Sequence, residues 1–338
     1  MRDLQRRLGA AGFAPIGAEG AFFGPATERA LRAFQEQRGL MVSGTCDEDS
    51  WRAIVEASWK LGDRLLVLVA PHLRGDDVGE LQALLARIGF DPGRVDGIFG
   101  PSTARAVEDF QHNSGLSVDG VGGPDTIRAL QVLNRQTGTG PGISALRELE
   151  HLTTTARALA DLRVVVGQFG GLSTLSRQLV QALRHRSATV VASDEPDAAA
   201  QAAAANRFAA TVYIGFESRP GSHAVVHYYR VPQFESAGGR ALAERVATGC
   251  ASVIGVEPPQ VQGMRLPVLR ETRMPAVLFI VGSVQATLDR SPALVDALVD
   301  ALESWAREPV LSPGGTTSST GRHPPIDGLS TAFSPPCE

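Results

Sequence analysis

Cysteine is scarce in this 338-residue chain: Cys46, Cys250 and Cys337 stand far apart, with no C-x-x-C pair. That excludes a Cys-rich zinc module and offers no disulfide framework. Basic charge is also short, 32 Lys+Arg against 36 Asp+Glu for a net charge of -4. With no basic excess to neutralise phosphates, and aromatics at only 6%, nucleic acid is an unsuitable partner. No run approaches the roughly 18 apolar residues of a membrane span. No G-x-S-x-G occurs, and Cys250 falls on an apolar helix position, so serine and cysteine nucleophile schemes have no footing.

What is present is a repeat. LQRRLGAAGF and GAFFGPATERALRAFQEQRGLMVSGTCDEDSWRAI return as LQALLARIGF and DGIFGPSTARAVEDFQHNSGLSVDGVGGPDTIRAL. Each copy reads helix, turn, helix, turn, helix. The G-P-x-T step starts a helix, with Pro25 or Pro101 in its first turn and Thr27 or Thr103 close behind. Helical spacing turns Val107 and Phe110 inward and predicts that Glu108, Asp109 and Gln111 face water. The first copy departs from the second: Glu19 stands for Asp96, and Ser43-Gly44 for Asp119-Gly120.

The doubled pattern D-G-x-F-G-P-x-T-x-x-A-V-x-x-F-Q resembles the peptidoglycan-binding domain of bacterial cell-wall hydrolases, over nearly all of residues 1–135. The resemblance implies small three-helix units over 1–60 and 76–135 that grip cell-wall glycan or stem peptide. The better-kept second copy then supplies the ligand-contact candidates: Asp96, Gly97, Phe99, Gly100, Thr103, Asp119 and Gly120. A plainer reading is that these positions only make the fold.

Residues 136–158 are expected to be a linker, and strands and helices alternate over 159–308. Strands are predicted over 164–166, 188–192, 212–216, 224–229 and 276–281, with helices over 175–184, 198–209, 239–254 and 292–305. The class is therefore α followed by α/β with a mostly parallel sheet. Residues 309–338 are Ser/Thr/Pro/Gly-rich and expected to be disordered. The hydroxyls there, Ser312, Thr316 to Thr320, Ser330, Thr331 and Ser334, are candidates for phosphorylation.

The run LRVVVGQFGGLS ends a buried strand in a glycine cradle and delivers Phe169 into it. Together with LPVLRETRMPAVLF and Ala205-Asn206, this run resembles the zinc-dependent N-acetylmuramoyl-L-alanine amidases over roughly residues 160–307. That family needs one Zn²⁺ on two His and a Glu, plus a Glu as general base. Carried over by position, the first histidine falls on Phe169 and the second on Glu217. The ligand carboxylate falls among Leu172, Ser173 and Thr174, and the catalytic glutamate on Ile280. Phenylalanine and isoleucine have no lone pair to bind metal and no proton to move, and a lone carboxylate at a strand end is expected to be solvated. His223 and His227 in HAVVHYY share a strand face but stand about 13 Å apart at ~3.3 Å per residue, too far for one zinc.

The resemblance therefore implies a non-catalytic amidase homologue without cofactor, a scaffold or regulator of cell-wall synthesis. Its expected partners are peptidoglycan or its precursors and a protein of cell-wall biosynthesis. The alternative is an active amidase with a misplaced start. MRDLQRRLGAAGFAPIG lacks the apolar core of a leader, so the sequence as written points to the cytoplasm, and a lost leader would place it at the wall.

Overall fold

Gly-Pro steps set the helices of the N-terminal part. Gly24, Gly100 and Gly123 are extended N-caps, and the prolines after them sit where an N–H would have no helical partner. The computed structural model describes residues 1–17, 20–135, 142–155, 158–219, 223–231, 234–255 and 258–310. Its first copy holds α1 (Arg2–Ala10), α2 (Pro25–Gln37) and α3 (Glu48–Glu56). The second holds α4 (Asp76–Arg87), α5 (Pro101–Asn113) and α6 (Pro124–Asn134). The three-helix expectation holds twice. Each copy centres on an edge-to-face phenylalanine pair, Phe13 on Phe34 and Phe90 on Phe110, both at 5.5 Å.

Gln111 does not face water as its helical position suggested. It is buried, and its amide ties down the following turn: Nε2 donates to Asp119 Oδ1 (2.7 Å), Val121 O (3.1 Å) and Thr126 Oγ1 (3.0 Å). Its Oε1 accepts from the N–H groups of Asp119 and Gly120. Gln82 repeats this clamp on Asp96, Gly97, Ile98 and Thr103, and Gln35 does so on Ser43, Gly44, Thr45 and Ser50. A buried amide with all its groups bonded is strongly specifying. Each clamped turn needs a left-handed residue, supplied by Gly44, Gly97 and Gly120 at φ of 73°, 73° and 68°.

The stretch expected as linker carries a helix, α7 (Ile143–Thr155), for part of its length; residues 136–141 lie outside the described residues. Leu152 of α7 is buried against the helix that follows β5, and Glu148 accepts a hydrogen bond from Ser236 at that helix's N-cap (2.6 Å). The composition hid this helix, because Gly and Thr flank an otherwise ordinary amphipathic run.

Beyond it lie β1 (Arg163–Phe169), α8 (Ser173–His185), β2 (Thr189–Ser193), α9 (Ala198–Arg207), β3 (Val212–Ser218) and β4 (Val225–Val231). Then come β5 (Phe234–Glu235), α10 (Ala237–Ile254), β6 (Gln260–Met264), α11 (Pro267–Glu271), β7 (Ala276–Val281), α12 (Val284–Asp289) and α13 (Ser291–Arg307). The sheet runs β2-β1-β3-β7-β4-β5, with β6 also on β4; β4 is antiparallel to β7 and β5, and the other pairs are parallel. Continuous apolar strands such as β7, buried throughout, fit a sheet covered on both faces. One face packs against α8, α10 and α13 through Leu179, Leu242, Leu298 and Trp305. Of the predicted C-terminal tail, residues 311–338 and their hydroxyls lie outside the described residues.

The other face is covered by α9 and α11 and by the repeats themselves. Glu56, at the end of α3, is buried between two buried arginines of the α/β domain: it accepts from Arg265 (2.8 Å) and from Arg270 (2.9 Å). Arg265 N–H donates to Gly39 O (2.7 Å), and Arg94 of the second repeat stacks 4.0 Å from the Tyr229 ring. Helices, repeats and sheet form one continuous packing.

Candidate functional site

Strand register brings the three transferred positions together. Phe169 on β1 pairs with Glu217 on β3, and Glu217 pairs with Ile280 on β7. They form one row across adjacent strands at the carboxyl ends of β1 and β3, where α/β sheets place their ligands. Alternation points all three to the face that also carries Tyr213, Leu278 and Tyr229. Residues chosen from separate sequence stretches thus occupy one place.

The chemistry in the row does not fit a zinc ion. Phe169 packs against the apolar cluster of that face, at the start of a turn where Gly170 and Gly171 take φ of 81° and 87°. Ile280 is 2% exposed in the apolar run of β7. Where a carboxylate ligand would be expected, Leu172 is buried in the opposite cluster and Ser173 begins α8. Among the described residues, no three His, Cys, Asp or Glu side chains gather in a group that could hold a metal.

Glu217, the one member with a lone pair, is not the solvated carboxylate the sequence suggested. Arg219 Nε donates to its Oε1 at 2.6 Å, and both side chains are half-buried. Arg219 Nη1 also reaches Met41 Sδ, in the loop after α2 of the first repeat. A guanidinium two residues on, just past the end of β3, thus answers the charge of Glu217, and the repeat closes over it. Nothing in the sequence singled out Arg219 or Met41, because their role depends on a contact across 178 residues.

Of His223 and His227, expected on one strand face, only His227 lies in β4. His227 is buried on the same face as the row. Burial first, and then the Arg219 charge, push its pKa down to about 4, so the ring is neutral at ordinary pH. A neutral imidazole with Nδ1 unpartnered among the described residues could bind metal in principle, but no other donor joins it.

In the second repeat the candidates divide. Phe99 is fully buried core and Gly100 is the N-cap of α5. Thr103 is buried, donating to Pro92 O and accepting from Gln82. Asp96 and Gly97 lie inside the Gln82 clamp, and their carbonyls accept from Arg270 Nε (2.8 Å) and Nη2 (3.4 Å). Asp119 and Gly120 form the equivalent turn under Gln111, and there the Asp119 side chain is exposed. The structure therefore brings Asp96, Gly97 and Thr103 together around Gln82, and keeps Asp119 and Gly120 apart from them. Glu19, the first copy's counterpart of Asp96, lies outside the described residues.

Comparison with known proteins adds the following. Residues 1–54 and 74–130 match the model of the putative peptidoglycan binding domain. The chain is 32% identical over 308 residues to the N-acetylmuramoyl-L-alanine amidase CwlM of Mycobacterium tuberculosis, covering 81% of this chain and 75% of that protein. It is 32% identical over 139 residues to the amidase CwlL of Bacillus licheniformis, covering 35% of this chain and 38% of the other. Among solved structures it is similar to the amidase AmiC2 of Nostoc punctiforme, at 16% identity and a TM-score of 0.36 over 42% of this chain and 97% of the other. No helix among the described residues is long and apolar enough to cross a membrane.

Proposed function

The chain belongs to the N-acetylmuramoyl-L-alanine amidase family and carries peptidoglycan-binding repeats, and from that premise we propose that it is a non-catalytic member which binds peptidoglycan or its precursors. The row Phe169–Glu217–Ile280 carries the reading. Two of its three side chains offer no lone pair, and the third is held by Arg219. A hydrolytic zinc needs three protein ligands and an open position, and a general base beside it. Loss of outer-sphere partners alone weakens such sites roughly 10- to 100-fold; loss of the ligands themselves removes the chemistry.

What is retained supports a binding role. The repeats keep their clamped turns, and the α/β domain gives them a rigid platform through Glu56 and Arg270. Such a protein acts as a scaffold or regulator in cell-wall synthesis, joining wall material to a protein of that pathway. Incubating the full chain with purified sacculi and Zn²⁺ tests both halves. Co-sedimentation without release of stem peptide is expected. Released peptide would remove the non-catalytic half, and protein left in the supernatant would remove the binding half.

A further inference from the structure

Where the second repeat, α7 and the α/β domain meet, the packing encloses a cavity of about 240 Å³. That is below the roughly 300–1,000 Å³ of sites for drug-sized ligands and suits a molecule of amino-acid size. Part of its wall is apolar, formed by Leu152 of α7, Phe234 of β5 and the Met274–Pro275 step before β7. The rest is charged: Arg94, Arg147 and Arg273 stand with Asp91 and Glu148. Arg147 and Arg273 are exposed, and Arg147 is paired with Asp91, so these groups mark where the cavity meets solvent.

Arg94 and Glu148 are each satisfied on one side only. Arg94 Nη1 donates to Thr272 O and the guanidinium stacks 4.0 Å from the centre of the Tyr229 ring. Its Nη2 is buried and has no partner among the described residues. Glu148 Oε1 accepts from the Ser236 hydroxyl (2.6 Å) and the Gly238 N–H (3.4 Å), while its buried Oε2 has no partner among them either. The charge of Glu148 is felt at Arg94, yet the two form no ion pair. Burial therefore prevails and pulls the Arg94 pKa below its ordinary value. A buried cationic donor and a buried anionic acceptor lining one cavity call for a group that carries the reverse pair. A neutral amide would fill the hydrogen bonds and leave both charges uncompensated. A carboxylate against Arg94 and an ammonium against Glu148 compensate both.

We propose that this cavity binds a free α-amino acid with an apolar side chain, its carboxylate accepting from Arg94 Nη2 and its ammonium donating to Glu148 Oε2. The side chain of the ligand lies against Leu152, Met274 and Pro275. None of Phe169, Glu217 and Ile280 lines the cavity, and neither does a clamped turn. The site thus goes beyond the wall-binding reading and stands whether or not the chain cleaves peptidoglycan.

The probe is leucine, each enantiomer titrated separately into isotope-labelled full-length protein by NMR. Isocaproate, the same skeleton without the ammonium, and leucinamide, without the carboxylate, are the comparisons. Saturable shifts at the amides of Arg94, Glu148, Gly238 and Met274 are expected with at least one enantiomer. Each comparison compound binds roughly tenfold more weakly or worse, because it leaves one buried charge unanswered. Glu148→Gln keeps an oxygen for Ser236 and Gly238 and puts an amide where Oε2 stood. It weakens leucine roughly tenfold or more and leaves isocaproate unchanged, a split that a misfolded variant would not give. The proposal is overturned if neither enantiomer moves these amides, if either comparison compound binds as well as leucine, or if Glu148→Gln binds leucine as before.

Discussion

Phe169 was legible in sequence as a side chain delivered into a glycine turn, and Gly170 and Gly171 take φ of 81° and 87° there; that it stands in place of a metal ligand belongs to the proposed function. Ile280 was readable because a catalytic carboxylate cannot hide in the run AVLFIV. Glu217 lies in register between Phe169 and Ile280, but its surroundings were not legible. Its partner Arg219 lies two residues away, yet whether a side chain two positions along the chain bonds its neighbour or reaches for solvent depends on what covers that face. His227 is a similar case. Its pKa near 4, against an ordinary 6.5, means that the unfolded chain takes up a proton which the folded chain resists. Its contribution to stability is therefore complete above pH 6.5 and is lost as pH falls from there toward 4. The denaturation midpoint of the full chain is expected to drop across that window, and His227→Leu to flatten the drop. An unchanged slope in the variant would show that the ring is not buried as described.

At the scale of elements, the helices and strands with strong periodicity were all legible, including the six repeat helices and β7. The misses share a cause. Gln111 was read as a water-facing position, because a polar residue at that spacing belongs to the wet face unless something polar meets it inside. What meets it is a turn eight residues on, Asp119 and Gly120. The helix α7 was missed because its stability comes from tertiary packing of Leu152 and Glu148, which propensity does not report. Gln111→Ala leaves the Asp119 and Gly120 N–H groups without their acceptor, while the Thr126 hydroxyl keeps Val121 O, at a cost of roughly 2–3 kcal/mol. Hydrogen exchange should show faster amides at Asp119 and Gly120, with Gln82's turn unaffected. Equal loss in both turns would mean that the clamps are not independent.

At the scale of the molecule, the repeats are not beads on a string beside the α/β domain. Burial raises the pKa of Glu56, but the charges of Arg270 and Arg265 outweigh it and hold the carboxyl below its ordinary 4.5. The clamp is thus intact above pH 4.5 and weakens as pH falls through the lower folded value. Glu56→Gln removes the carboxylate shared by two buried guanidiniums and leaves Arg265 only Asp76 at 3.8 Å, at a cost of about 3–5 kcal/mol. Small-angle scattering should then show an expanded particle, and proteolysis new cuts between the repeats and the sheet. A variant as compact as the parent would deny the clamp its role. None of this was legible in sequence, since Glu56 and Arg270 are 214 residues apart.

The whole account turns on the exchange of a metal site for a packed row of Phe169, Glu217 and Ile280, with Arg219 against the carboxylate. The most direct measurement is zinc content after the purified chain is saturated with Zn²⁺ and then desalted. The account predicts far less than one zinc per chain, with no change when Glu217→Gln removes the row's only carboxylate. About one tightly held zinc per chain, lost in that variant, would contradict it.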